Sequence, residues 1–262
     1  MVKKSVEKLY LIIIFLFLYL PIGVLIVLSF NNSKSRVQWG GFTLHWYQEL
    51  FKSRVIMEAF YTTIFITLTA SIAATILGTM AAIGIHGMKR KQKAIMLGAT
   101  NIPLLNADIV TGISLMLLLI KFTRLGVTTV LIAHITFNIP YVILNVLPKL
   151  NSLSPNLYEA ALDLGASRSY AFRKIIWPEI KGGVFSGLLM SITMSLDDFS
   201  ITYFTKGPGT NTLSTMIYTE LKKGIKPEMY ALSTILFLIA LLLLLAMNYR
   251  SSKKSPAMTY NP

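Results

Sequence analysis

Apolar residues fall in six long blocks, roughly 9–30, 60–85, 98–120, 126–147, 183–205 and 231–249, separated by polar and basic stretches. A helix needs about 20 apolar residues to cross the hydrocarbon core of a bilayer, so each block predicts one transmembrane helix. Strands of a membrane barrel are shorter and alternate in polarity, and these blocks do neither. The pattern predicts an all-α, polytopic membrane protein, with six transmembrane helices in a single domain over residues 1–262. The first block, Leu9 to Phe30, runs for 22 residues without a charge. That is longer than the apolar core of a secretory signal, and Asn31-Asn32-Ser33-Lys34 is not a small-residue cleavage site, so the block predicts an uncleaved span.

Composition agrees with a lipid-facing surface. The chain is 54% hydrophobic and only 14% charged, with a mean hydropathy of +0.61, where a soluble domain carries about 25% charged residues. Its net charge of +14, from 25 basic and 11 acidic residues, would point to nucleic acid on a soluble protein. Here basic residues at helix ends serve as anchors, and no nucleic-acid partner is expected. Fifteen of the 25 Lys and Arg residues fall on one side of the membrane if both termini are cytoplasmic, with Lys89-Arg90-Lys91-Gln92-Lys93 as the densest cluster. The positive-inside bias therefore predicts a multi-pass cell-membrane protein with both termini inside.

Several chemistries are excluded. The chain has no cysteine, hence no disulfide, thiolate metal site or cysteine nucleophile. His45, His86 and His134 lie far apart and form no metal-ligand motif, so no metal is expected. There is no glycine-rich phosphate loop. If ATP drives this protein, a partner subunit binds it, and this chain carries neither cofactor nor catalytic residues.

The helix faces predict a bundle. Ala70, Ala74, Gly78 and Ala82 recur every four residues and let another backbone approach closely. Leu241 to Leu245 instead form an unbroken apolar run that faces lipid on most sides. Trp39, Trp46 and Tyr47 in the first outside loop suit the membrane boundary, with a short interfacial helix near Leu44–Phe51. The last outside loop, about 206–230, contains Gly207-Pro208-Gly209 and is expected to be partly irregular.

The longest inside loop, 148–182, has a structure of its own. Ser154-Pro155 reads as an N-cap followed by proline at the first helical position, and Gly165 ends the helix where a left-handed residue is wanted. Ser167 caps a second helix, expected to stop at Pro178. The first of these helices shows Leu157, Ala160, Ala161 and Leu164 on one side, with Glu159 and Asp163 on another. A shallow apolar face of this kind suits docking into a groove of a partner or lying on the lipid surface.

The spacing Glu159-Ala160-Ala161, three residues, Gly165, nine residues, Ile175-Ile176-Trp177-Pro178 resembles the signature loop of ABC-importer permease subunits. It departs from the family pattern at Trp177, where leucine is usual. Gly41-Phe42-Thr43-Leu44-His45-Trp46-Tyr47, Asp108-Ile109-Val110-Thr111-Gly112, His134-Ile135-Thr136-Phe137-Asn138 and Ser195-Leu196-Asp197-Asp198-Phe199 resemble the spermidine/putrescine branch, nearest the second of its two permease chains. The resemblance implies the type I ABC-importer permease fold and docking of Glu159, Ala160, Ala161, Gly165, Ile175 and Pro178 on a cytoplasmic ATPase. It also implies three kinds of partner: a homologous second permease chain, two ATPase subunits and an extracytoplasmic substrate-binding protein.

An acid near mid-membrane costs about 2.5–3.5 kcal/mol on insertion scales and needs a reason to be there. Asp108, Asp197 and Asp198 qualify, and no Lys or Arg sits centrally in any block to pair with them. On a continuous helix, Asp198 shares a small polar face with Gly187, Ser191, Ser195, Thr202 and Thr205, while Asp197 points about 100° away. That geometry favours Asp198 as the pathway acid, with Asp108 second, Ser195 beside it, and Asp197 in a helix–helix hydrogen bond. Tyr203 and Phe204 offer cation–π contacts to a cationic substrate. His134, Asn138, Tyr141 and Asn145 form a second polar line that reads either as interhelical glue or as lining. Two other functions fit parts of the pattern: an ion-gradient-driven secondary transporter of a cationic solute, and a membrane hydrolase using Ser195.

Overall fold

A computed structural model describes residues 2–33, 37–224 and 226–252; Lys34, Lys253 and Lys254 lie outside the described residues. The elements are α1 (Val2–Ser29), α2 (His45–Lys52), α3 (Arg54–His86), α4 (Arg90–Leu105), α5 (Asp108–Leu119), α6 (Val127–Asn151), α7 (Pro155–Asp163), α8 (Arg168–Ala171), a π-helical turn (Phe172–Ile176), α9 (Trp177–Asp197), α10 (Ser200–Thr205), α11 (Leu213–Lys223) and α12 (Pro227–Ser252). Among the described residues no strand forms beyond a single bridge between Asn31 and Phe42.

Among the described residues, length and composition do not confirm the expected six spans. Four helical stretches are long and apolar enough to cross a bilayer: Val6–Ser29, Arg54–His86, Val127–Asn151 and Arg168–Asp197. A fifth exists only if α4 and α5 are taken together, and they meet at a bend of 106°. The block 98–120 is thus not one helix but two, parted at Asn106 and Ala107, whose backbones are extended. Asn and Asp compete for backbone hydrogen bonds and favour helix ends, and Asp108 takes up the first turn of α5, where a carboxylate complements the helix dipole. In α12 the apolar stretch among the described residues is Pro227–Leu242, shorter than a span.

Two further expectations are corrected. The second loop helix does not stop at Pro178. It continues from Arg168 through the π-turn into α9, where Pro178 sits in the first turn. A proline would clash with the carbonyl four residues back; widening the preceding turn, so that Trp177 N–H reaches the Phe172 carbonyl, accommodates it. Conversely, the block 183–205 is interrupted. α9 ends at Asp197, Asp198 is extended (φ −63°, ψ 122°), and α10 begins at Ser200. Asp198 therefore does not share a continuous face with Thr202 and Thr205.

The chain packs as two compact units. One comprises the described residues up to Glu58 together with Met216–Ala246. In it the indole N–H of Trp46 donates to the Asn31 carbonyl at 2.7 Å, tying α2 to the end of α1. The Asn31 side chain holds the loop by accepting from Gly40 N–H and donating to the Gln38 carbonyl. Along the span Val6–Ser29 only Ser29, at its end, is buried, which leaves the rest for lipid or a partner.

The other unit comprises Ala59–Thr215 and the described residues from Met247. Its core is the antiparallel pair α6 and α9 with α3 against them. Close approach needs glycine at the crossings. Side-chain carbons added at Gly183 and Gly187 would meet the α6 backbone, and one added at Gly78 would meet Val142. The small-residue row on α3 is buried as expected, with Ala70, Ala74 and Ala82 at 0% exposure.

Candidate functional site

Both helix breaks of the larger unit open onto one cavity of about 300 Å³. Irregular backbone at membrane depth is tolerated where it is buried in protein or lines a cavity. Asp108 comes from the start of α5, just after the first break. Asp197 and Asp198 come from the second, and Phe137, Tyr141 and Phe199 supply aromatic wall. Gly112 brings α5 against α10, since a side-chain carbon there would lie 3.2 Å from Ile201 Cα and the Ser200 carbonyl.

The three acids occupy different environments. Asp108 and Asp197 are exposed, and no hydrogen bond to either carboxylate is found among the described residues. The Asp198 side chain is 7% exposed and fully engaged. Its carboxylate accepts from the backbone N–H of Ile201 and Thr202, at 3.2 and 2.7 Å, and from the Thr202 hydroxyl at 2.7 Å. His134 Nε2 lies 3.4 Å from Oδ2 of the same carboxylate. Asp198 thus has a partner that counting Lys and Arg missed. Among the described residues Asp197 makes no helix–helix hydrogen bond.

Ser195 joins this buried cluster, with its Oγ 2.6 Å from His134 Nδ1. Serine, histidine and aspartate together suggest a nucleophile, but Ser195 is 3% and His134 1% exposed. A hydrolase needs its nucleophile within reach of substrate, and this one is sealed. Tyr203 stands outside the cavity lining, half-exposed, with its ring tilted against Phe199 at 5.2 Å. The polar line on α6 divides: His134 joins Asp198, Tyr141 faces the cavity, and Asn145 donates to the Tyr141 carbonyl. Asn138 is fully buried with neither amide atom bonded.

At the opposite end of α9 lies the loop with the recognisable spacing. Gly165, at φ +84°, ends α7. The N–H of Ala166 bonds the Ala161 carbonyl and that of Gly165 bonds the Leu162 carbonyl, the paired geometry of a Schellman motif. Ser154 stands at the N-cap of α7 without a side-chain bond, whereas Ser167 accepts from Tyr170 N–H. Glu159 and Ala160 are exposed on α7, and Leu157 and Leu164 are 58% and 89% exposed. Ala161, Leu164, Gly165 and Tyr170 border an open groove at the corner. Ile175 lies in the π-turn and Pro178 in the first turn of α9. The loop thus connects α6 to α9 directly, the two helices that pack most extensively.

The sequence profile of the binding-protein-dependent transport system inner membrane components matches residues 74–252, and the chain belongs to this family. It is 35% identical over 235 residues to the spermidine/putrescine transport system permease protein PotC of Haemophilus influenzae, covering 89% of this chain and 91% of that one. It is 36% identical over 233 residues to the putrescine transport system permease protein PotI of Escherichia coli strain K12, covering 85% and 82%. The fold matches a chain of the bacterial alginate ABC transporter crystallised with its alginate pentasaccharide-bound periplasmic protein, at a TM-score of 0.73 and 18% identity over 96% of this chain and 94% of that one. The chain is thus an ABC-importer permease in fold and family, which places it in the membrane.

Proposed function

We propose that this chain, as one permease domain over residues 1–262, forms half of the pathway of an ATP-driven importer of polyamines, with the cavity at the two helix breaks as a station for the cation. The observation that carries this is the convergence of Asp108 and Asp197, unpaired and exposed, with three aromatic walls in one cavity. A polyamine is a flexible polycation that must be compensated as it leaves water. Two unit charges at 4 Å attract by about 4 kcal/mol at an effective dielectric of 20, and aromatic faces add about 0.5–2 kcal/mol each. Such contacts hold a cation without trapping it. The names of the relatives at 35% and 36% identity support the substrate class.

The partners proposed are a homologous second permease chain, two cytoplasmic ATPase subunits that bind and hydrolyse ATP, and an extracytoplasmic substrate-binding protein, with both termini of this chain cytoplasmic. α7 is the docking helix, and Glu159, Ala160, Ala161 and Gly165 meet the ATPase. Because α7 follows α6 after a short turn and joins α9 through α8 and the π-turn, its displacement passes along the 21 residues of α9, some 30 Å at 1.5 Å per residue, to the break at Asp198. Asp108, Asp197 and Asp198, with Ser195 and Tyr203 behind them, belong to that outer end. An ion-gradient-driven secondary transporter is not favoured, given the family to which the chain belongs.

The test is uptake of labelled spermidine into proteoliposomes containing all four kinds of subunit. Uptake that requires ATP and the binding protein, and is lost in Gly165→Asp while the complex still assembles, is expected. Uptake that ignores ATP but collapses with the ion gradient overturns the reading.

A further inference from the structure

Breaking a helix at membrane depth frees backbone groups that lipid cannot satisfy. At the break between α9 and α10, the Asp198 carboxylate takes two of the freed N–H groups, those of Ile201 and Thr202, and its own carbonyl accepts from the Ser214 hydroxyl at 2.7 Å. With the imidazole neutral and the carboxylate ionised, donor capacity assigns the protons of the surrounding cluster. The Thr202 hydroxyl donates to Asp198 Oδ2. Its 2.8 Å contact with His134 Nε2 must then be one in which the histidine donates. A neutral ring protonated at Nε2 leaves Nδ1 to accept from Ser195. Every proton from Ser195 through His134 to Thr202 therefore runs toward Asp198.

Ser195 belongs to the last turn of α9 and Thr202 to α10. One imidazole on α6 thus ties the two halves of a broken helix together. α6 grips α10 a second time through the Thr129 hydroxyl, 2.7 Å from the Thr205 carbonyl. Asp197, Asp198 and Phe199 all line the cavity, but Asp197 is exposed while the Asp198 side chain is 7% exposed.

We propose that His134 is a positioning residue that holds this break in register through Ser195, Thr202 and Asp198, so that Asp197 and Asp108 receive the cation while Asp198 acts as an internal cap. That the ligand is a cation rests on the polyamine reading; the positioning role of His134 does not.

The test uses the complete transporter. For uptake, Asp197→Asn is expected to raise KM for spermidine by about tenfold or more, since losing one charge partner costs upward of 1.4 kcal/mol. Asp198→Asn keeps one oxygen to accept from Thr202 but turns a donor toward Ile201 N–H, so it is expected to lower the melting temperature more than Asp197→Asn does while raising KM by less. For position, the chain lacks cysteine, so Asp197→Cys gives a single thiol whose labelling rate with a cationic, water-soluble reagent reports its access. Adding His134→Leu, or the shape-conserving Thr202→Val if the first fails to assemble, is expected to change that rate several-fold. An equal KM rise in Asp198→Asn and Asp197→Asn would make Asp198 a ligand and overturn the proposal, as would a labelling rate indifferent to both His134→Leu and Thr202→Val. If the wild-type complex takes up no polyamine, the substrate reading fails, and the labelling comparison still decides the role of His134.

Discussion

Gly183 offers a direct check on how α6 and α9 meet. A methyl group built there would lie 2.6 Å from the Asn145 carbonyl oxygen, 3.0 Å from Lys149 Cγ and 3.3 Å from Val146 Cα. The nearest obstacle is backbone, so no side chain can rotate away. Comfortable contact between heavy atoms is about 3.5–4.0 Å, so Gly183→Ala must push the helices apart by roughly 0.5–1 Å. Overpacking of this kind costs about 1–3 kcal/mol, against about 1 kcal/mol gained because alanine favours a helix more than glycine does. Gly84 on α3 removes that second effect from the comparison, because a side-chain carbon there meets nothing within 4 Å. The difference between Gly183→Ala and Gly84→Ala isolates the clash. It should appear in thermal unfolding of the detergent-solubilised protein as a gap of roughly 2–4 °C per kcal/mol, with Gly183→Ala the lower. Equal melting temperatures would refute the close α6–α9 crossing, and with it the direct mechanical link from α7 to the cavity.

Gly165→Ala should strain the left-handed end of α7 by about 1–2 kcal/mol and reduce binding-protein-stimulated ATP hydrolysis more than it reduces the melting temperature. Trp46→Phe removes the N–H that reaches the Asn31 carbonyl and should destabilise the unit that contains α1 and α2 by about 1–3 kcal/mol, seen as faster proteolysis of the 31–44 loop. Gly207 sits so tightly against the Leu125 carbonyl that no side-chain carbon fits. Gly207→Ala should therefore lower the yield of folded protein in fluorescence-detected size-exclusion, where Gly209→Asn, at a left-handed position with open space around it, should not.

Much of the fold was legible in the sequence because its signals are local. The small-residue row on α3, the apolar lengths of α1, α3 and α6, and the proline and glycine that bound α7 each act within one or two helical turns. The two breaks were not legible. A block of some 20 apolar residues reads as a straight span, and the Asn and Asp residues that end α4 and α9 read equally well as polar positions on an unbroken helix. Treating 183–205 as continuous put Asp198 on the polar face and Asp197 off it, and the extended backbone at 198 reverses the exposure of the two. The partner of Asp198 was hidden for another reason. His134 lies more than 60 residues away in sequence, and histidine does not enter a count of Lys and Arg. A signal did exist: α6 and α9 both carry polar residues at three- and four-residue steps, and antiparallel packing at Val142 and Gly187 brings Ser195 opposite His134.

The central claim is that two unpaired carboxylates at two helix breaks receive a polycation. The measurement that tests it most directly is the initial rate of ATP-driven spermidine uptake by the reconstituted transporter carrying Asp108→Asn and Asp197→Asn together, with binding-protein-stimulated ATP hydrolysis followed in the same preparation. Uptake reduced by about a hundredfold or more, as loss of two contacts of at least 1.4 kcal/mol each requires, with hydrolysis preserved, is the predicted result. Uptake within a few-fold of wild type in the double variant would contradict the account and move the cation's route away from this cavity.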